Sequence, residues 1–426
     1  MTADTIYALS SGSPPAAVAV VRISGPRADT ALRALAGKLP EPRMARLATL
    51  RSEGGERLDS ALVLRFPGPA SATGEDVVEL HLHGGRAVVD AVLRTLSSMA
   101  GLREAEPGEF TRRAFESGRI DLAEAEGLAD LLEAETESQR RSALALAGGG
   151  LSRQVEAWQA RLLDLAAQLE AAIDFSDVGE VGESVPQSWF AEARQLRAEW
   201  AAALARPPAE RLRDGLRVVI AGPPNAGKSS LLNWLAGRQA AITSAIAGTT
   251  RDLVEAPTAI GGTPFLLVDT AGLRDSADEV ERIGVARAEQ SLAAADLILW
   301  LGSPGEAPAG GRTLVVQSKI DVAPRDPAAD AQVSAETGEG MDRLVALLIA
   351  RARALLPKAG EVALHRRHRA ALAEAAAALE DALATADFVL AAEAFRTARS
   401  AIDRITGRSG VEEMLDALFS RLCVGK

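Results

Sequence analysis

The sequence predicts a multidomain protein, α/β plus all-α: an N-terminal α/β domain, a split helical domain, and a second α/β domain inserted into the helical one. Three observations carry that expectation. Short β-rich runs bounded by glycine and proline dominate the N-terminal part. Strands and helices alternate between Leu216 and about Leu355, and amphipathic Ala/Leu/Glu/Arg-rich blocks stand on both sides of that alternation. A chain of 426 residues is also longer than one hydrophobic core usually serves.

In chain order, "AAVAVVRISG", "LDSALVLRFPG" and "EDVVELHLHGG" read as strands, and "RAVVDAVLRTLSSM" has helical periodicity. From Asp121 the apolar residues recur every three or four positions through "DLAEAEGLADLLEAETESQRRSALALAGG", "GLSRQVEAWQARLLDLAAQLEAAIDF" and "SWFAEARQLRAEWAAALA", which predicts long helices. Helix returns in "RRHRAALAEAAAALEDALATA" and "GVEEMLDALFSRL". Each helical block has an apolar face to bury, and packing one on the other is the economical solution. The expected domains are 1–118, 119–211, 212–357 and 358–426, the second and fourth forming one helical domain around the third.

Composition narrows the function classes. Hydrophobic residues at 47% and charged residues at 25% suit folded, soluble domains. The start lacks the basic and apolar regions of a signal peptide, and no run approaches the roughly 18 apolar residues of a membrane span, so a cytoplasmic protein without membrane contact is expected. One cysteine, Cys423, excludes an internal disulfide framework. A net charge of −11 means that the whole surface repels nucleic acid, and any RNA contact needs a local basic patch or a partner.

The inserted domain carries the chemistry. "GPPNAGKS", Gly222 to Ser229, fits G-x-x-x-x-G-K-[ST] between a β-run and an amphipathic helix, the setting in which backbone N–H groups and a helix N-terminus cradle phosphates. Lys228 is expected on the β- and γ-phosphates and Ser229 on Mg²⁺. "FLLVDTAG" delivers Asp269 to the metal's second sphere and Gly272 to the γ-phosphate, and Thr250 of "AGTTRD" would reach the metal from a switch segment. The order and spacing imply a Mg²⁺-dependent P-loop NTPase with a Ras-like domain. "SKID", Ser318 to Asp321, stands where Ras-like GTPases carry Asn-Lys-x-Asp. Asp321 would accept both guanine N–H groups and Lys319 would lie along the base. Ser318 is expected to lack the reach to join purine N7 to the phosphate loop, at a cost of about 1 kcal/mol in guanine binding. Ala335 of "SAETGEG" would face guanine O6.

Leu273 follows Asp-Thr-Ala-Gly, where many GTPases have a water-orienting glutamine, and a leucine cannot orient water. Asn225 could instead coordinate a monovalent cation between the phosphates, and Glu281 of "DEVERIG" is the residue expected to orient water.

Together, "GPPNAGKSSLLNWLAG", "AGTTRD", "DTAGLRDSADEVERIG", "FPGPASATGEDVVELHLHGG", "PGEFTRRAFESGRIDLAEAEGLADLLEAET" and the terminal "CVGK" resemble the MnmE (TrmE) family of tRNA uridine-modification GTPases over almost the whole chain. The resemblance implies a folate-binding, dimerising N-terminal domain and a potassium-activated G domain that pairs with that of a second copy. It implies a homodimer that joins the flavoprotein MnmG in a heterotetramer. There, a unit from 5,10-methylenetetrahydrofolate or 5-formyltetrahydrofolate is placed on C5 of the wobble uridine of certain tRNAs. Carried over residue by residue, K⁺ would be held by Asn225, Ser244, Ile246 and Thr249, and Mg²⁺ by Ser229 and Thr250. GTP or GDP would lie against Asn225, Ala226, Gly227, Lys228, Ser229 and Ser230, against Ser244, Ala245, Ile246, Ala247, Gly248, Thr249 and Thr250, and against Asp269, Thr270, Ala271 and Gly272. Its base would meet Lys319, Asp321, Ser334, Ala335 and Glu336. Folate would use Arg22, Glu79, Arg119 and Lys426.

Other residues leave alternatives open. His81 and His83 fall on one side of a β-run without an evident third metal ligand. "HRRHR", His365 to Arg369, is either a solvated helix start or an RNA contact, and Cys423 is either inert or a thiol near the folate site. Two other readings of the whole remain: a regulatory or ribosome-assembly GTPase without modification chemistry, and an ATPase, which only Ser318 favours.

Overall fold

The computed structural model describes residues 4–174, 185–237, 254–269, 289–358 and 361–408, with residues 415, 418–420, 422, 424 and 425 near the C-terminus. The chain divides into two compact units, residues 1–129 with 403–426, and residues 130–402.

The first unit is built on a six-stranded sheet of β1 (Thr5–Leu9), β2 (Val18–Ser24), β3 (Arg46–Arg51), β4 (Arg57–Phe66), β5 (Val77–His83) and β6 (Leu102–Glu104), in the order β3-β4-β5-β2-β1-β6. Neighbours are antiparallel except β1 and β6. Alternation along the strands sends Ala19, Val21, Ile23, Val63, Leu80 and Leu82 into a core closed by Leu32 and Leu35 of α1 (Ala28–Ala36) and Val89, Val92 and Leu96 of α2 (Arg86–Ser97). The intervening residues, among them Arg22, Glu79 and His81, therefore stand on the other face. That face leaves Val18 and Leu62 about half exposed, at 52% and 46%. Two helices follow, α3 (Glu109–Glu116) and α4 (Leu122–Glu133). Leu122 and Ala125 share a small core with Leu415, Phe419 and Leu422, and Ser10 Oγ donates to the Gly425 carbonyl at 2.8 Å, so the C-terminal residues return to this unit.

The second unit combines helices with a second six-stranded sheet. Its sheet contains β7 (Leu216–Ala221), β8 (Val254–Ile260), β9 (Thr263–Asp269), β10 (Leu297–Trp300), β11 (Thr313–Gln317) and β12 (Ala331–Gln332), ordered β12-β11-β10-β7-β9-β8 and parallel except for the β8–β9 hairpin. Near-continuous apolar strands such as β7, "LRVVIA", are what a sheet covered on both faces requires. Helices α9 (Lys228–Gly237) and α10 (Met341–Leu355) bury Leu231, Leu235, Leu344 and Leu348 against it.

The remaining helices are α5 (Glu137–Ala147), α6 (Gly150–Asp174), α7 (Gln187–Ala205), the short α8 (Glu210–Arg213), α11 (Arg366–Ala384) and α12 (Phe388–Thr406). Helix α7 packs along α11 and against α6, and Trp189 of α7 meets Phe395 of α12 with ring centres 5.5 Å apart. Residues before and after the inserted sheet thus share one helical core, as the two amphipathic blocks demand. The HRRHR stretch is a structural tie. His365 and His368 are buried, and Arg369 donates to the carbonyls of Leu204 and Arg206 at the end of α7, at 2.6 and 3.0 Å. The stretch is a helix start, as one of the two readings has it, with Arg366 exposed and the two histidines buried.

Candidate functional site

The phosphate loop turns between β7 and α9. Gly222 has φ +145°, and a side chain there would meet the carbonyl of Leu301, just past β10, at 2.8 Å, so the loop leaves the sheet through a position only glycine fills. Asn225 is left-handed at φ 61°, which asparagine tolerates better than most residues. Lys228 is only 7% exposed, and its Nζ donates to the Gly222 and Pro223 carbonyls at 3.0 and 2.8 Å, which holds the ammonium across the loop mouth. Ser229 Oγ donates to Asp269 Oδ2 at 2.7 Å. These two oxygens come from sequence positions forty apart, brought together because β7 and β9 are parallel neighbours with Ile220 opposite Asp269. A hydroxyl beside a buried carboxylate is a hard-oxygen donor set that fits Mg²⁺.

The "SKID" loop reaches the same corner. Ser318 Oγ donates to the Ala226 carbonyl at 2.6 Å and Lys319 Nζ to the Asn225 carbonyl at 2.7 Å. The expectation that serine cannot join purine N7 to the phosphate loop is corrected in its second half: backbone approach brings the two loops close enough for the shorter side chain to reach the Ala226 carbonyl. Lys319 is left-handed at φ 58°, and Asp321, two residues on, is exposed. Ser334 is fully buried, its N–H bonded to the Glu339 carbonyl at 2.9 Å, which fixes the turn that carries Ala335 and Glu336. Ser230 follows on the first turn of α9. Ser244, Ala245, Ile246, Ala247, Gly248, Thr249 and Thr250, with Thr270, Ala271, Gly272, Leu273 and Glu281, lie outside the described residues, as do Cys423 and Lys426.

A second concavity lies in the first unit. A cleft of about 440 Å³ is lined by Arg22, Ser71, Thr73, Phe110, Thr111 and Arg119, among others. Its walls are loop and helix segments pinned by close backbone contacts. Gly74, at φ +80°, leaves room for Ser117, whose Oγ donates to the Thr73 carbonyl at 2.7 Å, and Arg119 Nε donates to the Ser71 carbonyl at 3.1 Å. Arg22 lies 5.7 Å from the Phe110 ring centre. Arg22 and Arg119 thus share the cleft. Glu79 does not line it as described. It lies opposite Arg22 on β5 and accepts from that guanidinium at 2.9 and 3.2 Å, an ion pair within the sheet.

Phe110, Ser71 and Thr73 were not singled out by residue type. Their signal was the pair of segments "FPGPASATGED" and "PGEFTRRAFESGR", which converge here although thirty residues separate them. Beside the cleft, Arg113 is 4% exposed and donates to Glu75, Glu109 and Asp4. Burial pushes the Glu109 carboxyl up, but hydrogen bonds from Arg103, the Glu106 N–H and Arg113 outweigh it and hold the group below its ordinary value. His83 meets Asp59 at 2.7 Å and His81 meets Glu79 at 3.4 Å, and no cluster of three or more potential metal-ligating His, Cys, Asp or Glu residues occurs among the described residues.

The family model for the TrmE N-terminus, described as a GTP-binding protein, matches residues 5–119, and that for the MnmE helical domain matches residues 122–423. The tRNA modification GTPase MnmE of Rhizorhabdus wittichii is 60% identical over 99% of this chain and 97% of its own. This chain belongs to the MnmE family. A second MnmE relative, from Erythrobacter litoralis, is 56% identical over 99% of this chain and all of its own. The G domain of the T. maritima FeoB iron transporter, a solved structure, is 23% identical over 32% of this chain and 98% of its own at TM-score 0.25, a likeness too slight to add to the family assignment. Among the described residues no helix is long and apolar enough to cross a membrane.

Proposed function

We propose that this MnmE-family GTPase is activated by potassium, works as a homodimer with the flavoprotein MnmG, and modifies C5 of the wobble uridine of certain tRNAs with a tetrahydrofolate one-carbon unit. The observation that carries the GTPase part is the corner where Lys228, the Ser229–Asp269 pair and the guanine-motif residues Ser318 and Lys319 all close on one loop. Lys228 would exchange the loop carbonyls for β- and γ-phosphate oxygens. Ser229, with Thr250 and the outer-sphere Asp269, would hold Mg²⁺, which supplies positive charge against the phosphates when bound. Asp321 would select guanine, because adenine would leave its carboxylate unpaired.

Asn225 projects from the exposed loop mouth. Its amide makes no hydrogen bond among the described residues, which leaves its oxygen available to K⁺, with Ser244, Ile246 and Thr249 as the further donors. Glu281 would orient the attacking water that Leu273 cannot.

The cleft supports the folate part of the reading: its volume suits a small ligand, Arg22 and Arg119 would meet a glutamate tail, and Phe110 offers a flat face to a pterin-like ring. Glu79 would act there through Arg22. Lys426 would add a second cation. The half-exposed Val18 and Leu62, on the sheet face opposite α1 and α2, favour pairing of two copies. The overall acidity fits a division of labour in which the partner carries much of the tRNA contact, in the cytoplasm. The test is to incubate the chain in K⁺ with MnmG, 5,10-methylenetetrahydrofolate, GTP, Mg²⁺, an amine source (ammonium in one arm, glycine in another) and unmodified tRNA, and to weigh the digested nucleosides. A heavier wobble uridine is expected; GTP turnover with no new nucleoside would instead favour a regulatory GTPase.

A further inference from the structure

A third cleft lies wholly within the second unit, between the first turns of α5, the β8–β9 turn and the end of α10, with a volume of about 510 Å³. Its walls are tied together: Ser138 Oγ of α5 donates to the Gly262 carbonyl of the hairpin turn at 3.0 Å. Leu212 and Leu356, 5% and 8% exposed, form an apolar floor.

Charge distinguishes this place. Three cations, Arg141, Arg353 and Lys358, line it against one carboxylate, Glu137, a local balance of 3 − 1 = +2 in a chain whose net charge is −11. Glu137 is bonded to Arg140 and Arg141. Arg353 and Lys358 have no ion pair among the described residues. Arg353 stands in the last turn of α10, where a cation favours the helix dipole, but Lys358 lies beyond the helix and gains nothing from it. Arg353 and Lys358 are both exposed at the mouth of the cleft, above its apolar floor, where their charges can meet an anion.

The site is separate from the nucleotide corner. Strand β9 runs from the turn at Thr263 to Asp269, on the order of 20 Å at the usual rise per residue. We propose that this cleft binds a phosphate group, with the tRNA backbone as its source. Only that source rests on the tRNA-modifying reading; the phosphate site itself does not.

The test uses the full chain saturated with GDP, so that the phosphate loop is filled. One arm measures tRNA binding against salt concentration, and the other measures pyrophosphate binding by calorimetry. For R353Q/K358Q, tRNA affinity is expected to fall about tenfold, with a salt dependence shallower by roughly one to two. R353K/K358R should retain wild-type binding, and basal GTP turnover should be unchanged in both variants. Loss of pyrophosphate binding with tRNA binding intact would keep the phosphate site and assign it to a small phosphate ligand. Unchanged binding in both arms would overturn the proposal. A wild-type chain that binds no tRNA would remove the tRNA reading while the pyrophosphate arm still decides the cleft.

Discussion

The nucleotide corner and the cleft holding Arg22 and Arg119 are assembled in different ways. In the corner, one backbone motif between β7 and α9 places Asn225, Lys228 and Ser229, and a parallel neighbour strand supplies Asp269. The cleft draws on β2, the loop around Ser71, α3 and the turn at Arg119, and its predicted acid and base neutralise each other within the sheet. Function concentrated in a contiguous motif tolerates little change. Function spread over separate segments is set by their packing and degrades in smaller steps.

The largest break in that contrast is expected from K228A, which should lower GTP turnover on the order of a thousandfold, since a fixed charge at a transferring phosphoryl group is worth several kcal/mol. A loss under tenfold would undo the assignment. D269N should cost on the order of a hundredfold and raise the Mg²⁺ concentration needed for half-maximal turnover.

Next comes the buried charge network beside the cleft. E109Q should destabilise the first unit by about 2 kcal/mol at neutral pH, the scale of a hydrogen bond to a charged group, measured by urea unfolding. Its sign with pH follows from the depressed carboxyl. That stabilisation is complete above the ordinary 4.5 and is lost as pH falls through the lower folded value, so wild type and E109Q should converge on acidification. A gap that persists in acid would contradict this.

In the cleft, R22Q should weaken 5-formyltetrahydrofolate binding about tenfold, the equivalent of one charge-assisted contact. E79Q, which frees Arg22 from its partner, should strengthen it by a few-fold. If both substitutions weaken binding equally, Glu79 touches the ligand itself and the ion pair is broken in the complex. A comparably small effect is expected from S318A, which removes the bond to the Ala226 carbonyl and should weaken GTP binding by about 1 kcal/mol, roughly fivefold.

The same contrast explains how far the sequence could be read. The corner was legible because glycine-bounded loops, apolar strands and a helix N-terminus are local rules, and Lys228, Ser229 and Asp269 follow from spacing alone. The split helical core was legible from periodicity, since two amphipathic blocks needed partners, and α7 against α11 supplies them. What escaped was pairwise and long-range. That Arg22 faces Glu79 depends on the β2–β5 register, and that Ser318 reaches Ala226 depends on loop approach. Short strands were also hidden: β3, "RLATLR", has charges only at its two ends and no apolar–polar alternation between them, and β6 has only three residues; both lie at sheet edges.

The account turns on a monovalent cation supplying the positive charge that an arginine finger brings in other GTPases. The most direct measurement is GTP turnover in K⁺ against Na⁺ at equal ionic strength, for the wild-type chain and for N225A. Turnover at least tenfold faster in K⁺, with the difference abolished in N225A, is the predicted result. Equal rates in the two salts would contradict it.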